Sequence, residues 1–226
     1  MAGGSPNFGA RRNGARPELV VIHYTAMSSV GAARDRLCDP AAEVSAHWLI
    51  GADGVTEPLV DEGLRAWHAG AGSWAGQPDV NSRSIGIELD NRGHEPFPEP
   101  QMHSLEVLLA QILDRWSIPP EGVIGHSDMA PDRKYDPGPK FDWCRLARQG
   151  LSIWPEPLVA IPADQARFRH LLTMIGYPDC ADIPRLAAFR MRFRPCHAGP
   201  LDARDMALAC DLAARFGQDG AQWRAD

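Results

Sequence analysis

The sequence predicts an α/β fold followed by a small all-helical unit. Three observations carry that prediction. Apolar runs of strand length, rich in Val, Ile and Leu, occupy residues 19–25 and 84–91, with a shorter one at 123–125. Between the second and third lies a helical stripe, Met102, Leu105, Leu108, Leu109, Ile112 and Trp116. After Trp154-Pro155-Glu156-Pro157 the strand pattern stops and three helical stretches follow.

Residues 1–17 are rich in Gly, Arg and Pro and wrap the surface. The run Leu19-Val20-Val21-Ile22-His23 reads as a buried strand that ends in a histidine. A short helix over 29–38 comes next, then strands over 47–51 and 55–60 around Ala52-Asp53-Gly54, a hairpin turn signal. Residues 61–82, rich in Gly, Ala and Trp, show no period and form a long loop, the kind of segment that often carries function. In the strand over 84–91, Ile85 and Ile87 share one face while Gly86 and Glu88 share the other. The helix over 101–116 lies on the sheet, and a short helix over 141–149 closes the first unit.

We divide the chain into a unit over 1–153, a proline-stiffened linker over 154–162 and a helical unit over 163–226. Helices are expected at about 164–175, 182–193 and 202–216, with Asp164, Asp182 and Asp202 as N-caps. Their core face is Phe168, Leu171, Leu172, Leu186, Phe189, Phe193, Met206, Cys210 and Ala213.

At 226 residues the chain has room for a domain of about 150 residues plus a small one. Residues 1–156 carry 14 basic and 21 acidic side chains, so the first unit repels nucleic acid rather than binding it. Cys38, Cys144, Cys180, Cys196 and Cys210 are scattered and form no CxxC pair, which disfavours a cysteine–zinc site and favours buried, reduced thiols. Residues 1–18 contain no apolar stretch of signal-peptide length, and no stretch approaches a membrane span; both point to the cytoplasm and away from a membrane.

Three residues carry the chemistry. His23 and His126 each end an apolar run, and Asp136 stands before Pro137-Gly138. Alone, a strand-end His is more often structural than a ligand, and an Asp before Pro-Gly is a turn residue. Together, two imidazoles and a carboxylate make a ligand set for catalytic zinc, which keeps its fourth position open for water. Glu88, a carboxylate flanked by Ile87 and Leu89, is costly unless it faces a cleft or a partner. Lys134 stands two residues before Asp136, so in an extended segment both side chains point the same way.

The blocks VIHYTA, SAHWLI, AWHAG, NSRSIGIEL, GHSDMAP and KYDPG, in this order, resemble the zinc-dependent N-acetylmuramoyl-L-alanine amidases of the amidase-2 type over roughly residues 5–150. LLTMIGYPD and LAAFRMRFRP, over roughly 160–220, resemble a three-helix peptidoglycan-binding domain attached to cell-wall hydrolases. The first resemblance implies a mixed central sheet flanked by helices, with one Zn²⁺ on His23, His126 and Asp136. It implies Glu88 as general base and Lys134 as oxyanion partner. Substrate contacts are expected from Trp67 and His68 in the long loop, and from Asn81 and Arg83, which suit peptide carboxylates. His47 is expected to be buried and structural, and His94, His103, His170 and His197 to be surface or structural residues.

The expected reaction is hydrolysis of the amide between N-acetylmuramic acid, in its 1,6-anhydro form, and L-Ala of the stem peptide, during cytoplasmic peptidoglycan recycling. A wall-lytic amidase acting on intact peptidoglycan and a non-catalytic muropeptide-binding module are the alternatives. No HExxH occurs, which disfavours a zinc peptidase of that kind.

Overall fold

The computed structural model describes residues 4–156 and 159–217. Pro157 and Leu158 of the expected linker and the end of the helical unit beyond Gly217 lie outside the described residues.

Strand β1 (Phe8–Gly9) pairs with β5 (Arg65–Ala66) in a small antiparallel ribbon. The central sheet contains β2 (Leu19–Tyr24), β3 (Trp48–Ile50), β4 (Thr56–Pro58), β6 (Ser84–Leu89) and β7 (Val123–Gly125), in the order β4-β3-β6-β2-β7. It is mixed: β4 runs antiparallel to β3, and the other neighbours are parallel. Alternation along β2 sends Val20 and Ile22 to one face and Leu19 and Val21 to the other, each into a separate apolar core. This is why the run reads as continuously apolar: both of its faces are covered.

On the first face lies α3 (Glu99–Trp116), whose Met102, Leu105, Leu109 and Ile112 meet Val20, Ile22, Ile85 and Ile87. The helix begins two residues earlier than the stripe suggested, because Pro100 in the first turn needs no amide partner there. Ser117, in the left-handed conformation at φ 55°, stops it. The short helix α5 (Trp143–Arg148) packs on the same side. Helix α1 (Val30–Cys38) follows β2, with the Ser29 hydroxyl accepting from the Ala32 amide as its N-cap.

The second face is covered by α6 (Gln165–Ile175), α7 (Asp182–Phe193) and α8 (Ala203–Phe216). Leu19, Val21 and Ile124 of the sheet share one apolar cluster with Phe168, Leu172, Phe189, Met206 and Leu212. Trp154, first residue of the expected linker, packs against the cores on both faces. Asp164 and Asp202 cap their helices as expected. Asp182 does not; it is the first residue of α7, and Ala181 holds the N-cap position without a side-chain bond. Leu186 and Cys210 of the expected core face are only partly buried at its rim. All five cysteines are free thiols, but none is buried as expected: Cys196 is exposed and the other four are half-buried. Among the described residues no helix is long and apolar enough to cross a membrane.

Candidate active site

The three parallel strands β2, β6 and β7 end at one level and deliver the key side chains together. In register, His23 of β2 lies beside Glu88 of β6, and Ile22 lies beside Gly125, so His126 emerges next to His23. Asp136 comes from the loop after α4 (His126–Met129), where its carbonyl accepts from the Ser127 amide. Ligand clefts in α/β sheets lie at such carboxyl ends. Here the cleft is a cavity of about 420 Å³ lined by His23, His68, Glu88, His126, Lys134 and Asp136, among others.

His23 Nδ1 lies 2.9 Å from His126 Nδ1 and 2.8 Å from Asp136 Oδ2, and His126 Nδ1 lies 3.0 Å from the same oxygen. All three residues are buried. Which atoms carry protons follows from the outer partners. His126 Nε2 sits 2.9 Å from the Ala69 carbonyl, which only accepts, so the proton is on Nε2. For His23 the chain is longer. Ser84 donates its hydroxyl to the Val80 carbonyl at 2.6 Å and therefore accepts from His68 Nε2 at 3.2 Å. His68 Nδ1 is then bare and accepts from His23 Nε2 at 3.0 Å. Neutral imidazoles in these tautomers turn two unprotonated Nδ1 atoms toward one carboxylate oxygen.

Three lone pairs meeting this closely with no proton among them repel one another. A cation between them removes the repulsion, and an N, N, O donor set suits zinc. Burial and the neighbouring His126 push the His23 imidazole down to about 4, so it is neutral at physiological pH, as a metal ligand must be. Burial, with His23 and His47 nearby, likewise holds His68 neutral.

Glu88 lines the cavity, and its Oε2 is buried without a hydrogen-bond partner. Burial, and then the charge of Asp136, push its carboxyl up to about 8, with Lys134 pulling the other way. Lys134 stands in the cavity wall, which Arg133 and Arg36 also line.

The long loop does something other than expected. Neither Trp67, Asn81 nor Arg83 lines the cavity. Trp67 is tied by its amide to Ser45 Oγ. Asn81 Oδ1 accepts from the amides of His68 and Ala69, at 3.0 and 2.8 Å, and so fixes the two partners of the ligand histidines. Arg83, the last residue of α2 (Val80–Arg83), reaches Glu18 Oε1 and the carbonyls of Trp74 and Gln77, which closes the loop on itself. His68 does border the cavity, but both of its ring nitrogens are used within the protein. Gly86 is what lets it approach: a Cβ there would lie 2.4 Å from His68 Cγ. His47, fully buried, accepts from the Gly86 amide at 2.9 Å. Sequence reasoning missed the Ala69 carbonyl and the Ser84 hydroxyl, since neither carries a residue-type signature for this task.

The N-acetylmuramoyl-L-alanine amidase family profile matches residues 13–139. The chain is 38% identical to the N-acetylmuramoyl-L-alanine amidase AmiD of Escherichia coli (strain K12), over 90% of this chain and 85% of that protein. It is 34% identical to the 1,6-anhydro-N-acetylmuramyl-L-alanine amidase AmpD of the same organism, over 63% of this chain and 87% of that one. The solved structure of E. coli AmiD with the substrate anhydro-N-acetylmuramic acid-L-Ala-D-γ-Glu-L-Lys superposes with a TM-score of 0.83 at 36% identity, covering 92% of this chain and 93% of that chain. Pseudomonas aeruginosa AmpDh3 in complex with anhydromuramic pentapeptide superposes with a TM-score of 0.78 at 31% identity, covering 91% of this chain and 94% of that chain. With its fold, its convergent His-His-Asp cluster and these relatives in agreement, the chain belongs to the N-acetylmuramoyl-L-alanine amidase family.

Proposed function

We propose that this protein is a zinc amidase that cleaves the bond between the lactyl group of N-acetylmuramic acid, including its 1,6-anhydro form, and L-Ala of the stem peptide. The observation that carries the reading is the proton-free meeting of His23 Nδ1, His126 Nδ1 and Asp136 Oδ2 beside the unpartnered Glu88 carboxyl. When bound to these three residues, zinc supplies a Lewis acid that polarises the carbonyl and lowers the pKa of water toward about 7.

The rest falls to the protein. Glu88 takes the proton from the attacking water through Oε2 and returns it to the departing L-Ala nitrogen. Lys134 already pulls its carboxyl down in part, and a cation held by the three ligands would pull the same way and ready it as a base. Lys134 turns its ammonium toward the developing oxyanion. Arg36 and Arg133 give the cavity wall further positive charge for the carboxylates of a stem peptide.

The anhydro sugars bound by AmiD and AmpDh3 support soluble muropeptides as substrates, and the five free thiols support a reducing, cytoplasmic setting for their recycling. Glycan binding by the C-terminal helices belongs to the same proposal. A groove of about 590 Å³ beside α7 begins at Tyr135, which also lines the catalytic cavity.

Digestion of soluble anhydromuropeptides and of intact sacculi, side by side with and without chelator, tests this by mass spectrometry. Chelator-sensitive release of free stem peptide from the soluble substrate is expected. Release from sacculi alone would favour the wall-lytic alternative, and release from neither would favour a recognition module.

A further inference from the structure

The C-terminal helices reach the catalytic centre through one buried carboxylate. Asp128 is the third residue of α4, the turn that opens with His126, and it is 1% exposed. Its Oδ2 accepts from the Gly125 amide at 2.8 Å, immediately before His126. Two further bonds come from outside the first 150 residues. The Tyr177 hydroxyl, just after α6, donates to Oδ1 at 2.6 Å. Arg192, near the end of α7, donates from Nη1 to Oδ2 at 2.8 Å.

Arg192 is itself 2% exposed. Its Nη2 donates to the Val123 carbonyl at 2.8 Å, at the start of the strand that leads to His126. Its guanidinium lies 4.6 Å from the centre of the Trp143 ring. One arginine therefore grips both the strand before His126 and the carboxylate after it. The turn it grips also fixes the third ligand, because the Ser127 amide donates to the Asp136 carbonyl at 2.9 Å. A rotation of this turn would carry His126 and the backbone of Asp136 with it.

We propose that Tyr177 and Arg192 are positioning residues for the metal centre, which act through Asp128 to set the orientation of His126 and Asp136. Both lie beyond the stretch matched by the family profile, which ends at residue 139. Buried partners behind metal ligands characteristically change metal affinity by about 10–100-fold when removed. A buried Asp–Arg pair could instead do no more than dock α7 on the sheet, and the two roles predict different measurements.

The inference rests on the zinc reading above, and its test is metal binding by the full-length protein rather than turnover. Zinc affinity by competition with a chromophoric chelator, the visible absorption of the cobalt-substituted protein, and the melting temperature of the metal-free form are compared across four variants. Arg192→Met is expected to weaken zinc binding by about tenfold or more and to alter the cobalt spectrum. Tyr177→Phe, which deletes one hydroxyl and keeps the packing, is expected to shift both readouts less but in the same direction. Arg192→Lys, which returns a donor to Asp128, is expected to recover part of the affinity. Phe189→Leu, in the same core but without a bond to Asp128, is expected to lower the melting temperature and leave zinc affinity and the cobalt spectrum at wild-type values. If the Arg192 and Tyr177 variants lose melting temperature yet match the wild type in affinity and spectrum, the clamp is only structural and the proposal fails. If Arg192→Met does not fold, Tyr177→Phe and Arg192→Lys decide the matter. Failure of the wild type to bind zinc or cobalt would overturn the metal reading itself.

Discussion

Glu88 separates chemistry from stability at the scale of one residue. Glu88→Ala should keep zinc and lose about 10²–10⁴-fold in turnover, seen as normal zinc content with little stem-peptide release. In the metal-free protein the folded carboxyl titrates at about 8 against 4.5 unfolded, so folding disfavours its charge. That cost is absent below pH 4.5, grows as pH rises, and is complete above about 8. Metal-free Glu88→Gln should therefore melt at least about 2–4 °C above the wild type at pH 8.5, with the difference gone at pH 4.5. Ser84→Ala removes the acceptor that fixes the His68 tautomer and should weaken zinc binding by about tenfold, measured by chelator competition. His23, His126 and Glu88 stood out because strand ends and period-two alternation reveal which side chains leave a core, whereas Asp136, in a loop, stood out only beside the two histidines and through the KYDPG resemblance. The relay through His68 and Ser84 was not, since its direction depends on where the Val80 carbonyl points, and no side-chain pattern records that.

Among the elements, register does most of the positioning. The ladder that pairs His23 with Glu88 and Ile22 with Gly125 brings β2, β6 and β7 to a common end. Strand existence and facing were readable from alternation, but strand order was not, because residues 65 to 103 positions apart leave no local trace of pairing. The loop over 61–82 shows the same limit. Its composition marked it as functional, whereas the task of Asn81, holding the His68 and Ala69 amides, depends on a fold of the loop that has no period. Gly86→Ala tests the contact between strand and loop. Its Cβ would force the His68 ring away, so zinc affinity should fall by about tenfold or more while circular dichroism shows the sheet intact.

The molecule as a whole has three layers: α3 with α5, the sheet, and α6–α8. Helical periodicity in the last third showed which side of each helix is apolar, though not which surface it covers. That surface is the second face of the sheet, where Leu19, Val21 and Ile124 are 0–4% exposed. A chain ending at residue 153 would bare this face and leave Asp128 without Tyr177 and Arg192. It should aggregate or bind a hydrophobic dye, as gel filtration and dye fluorescence would report.

The ladder also dictates where this chain can change in length. Within β2 the side-chain period is two, so deletion of one residue before His23 would turn His23 into the core against α3 and put Tyr24 in its place at the cavity. The same holds for Glu88 within β6. The loop over 61–82 is under a looser rule, since Asn81 staples two amides near one end and Arg83 gathers carbonyls near the other. Residues added at the exposed Gly76 corner, between the stapled Trp74 and Gln77, leave both ligand histidines where they are, whereas Gly70–Gly72 is packed against Arg133 and Met129. Insertions and deletions in a lineage carrying this site should therefore gather at that corner and spare the six-residue strands, a pattern imposed by hydrogen-bond spacing before any demand of catalysis.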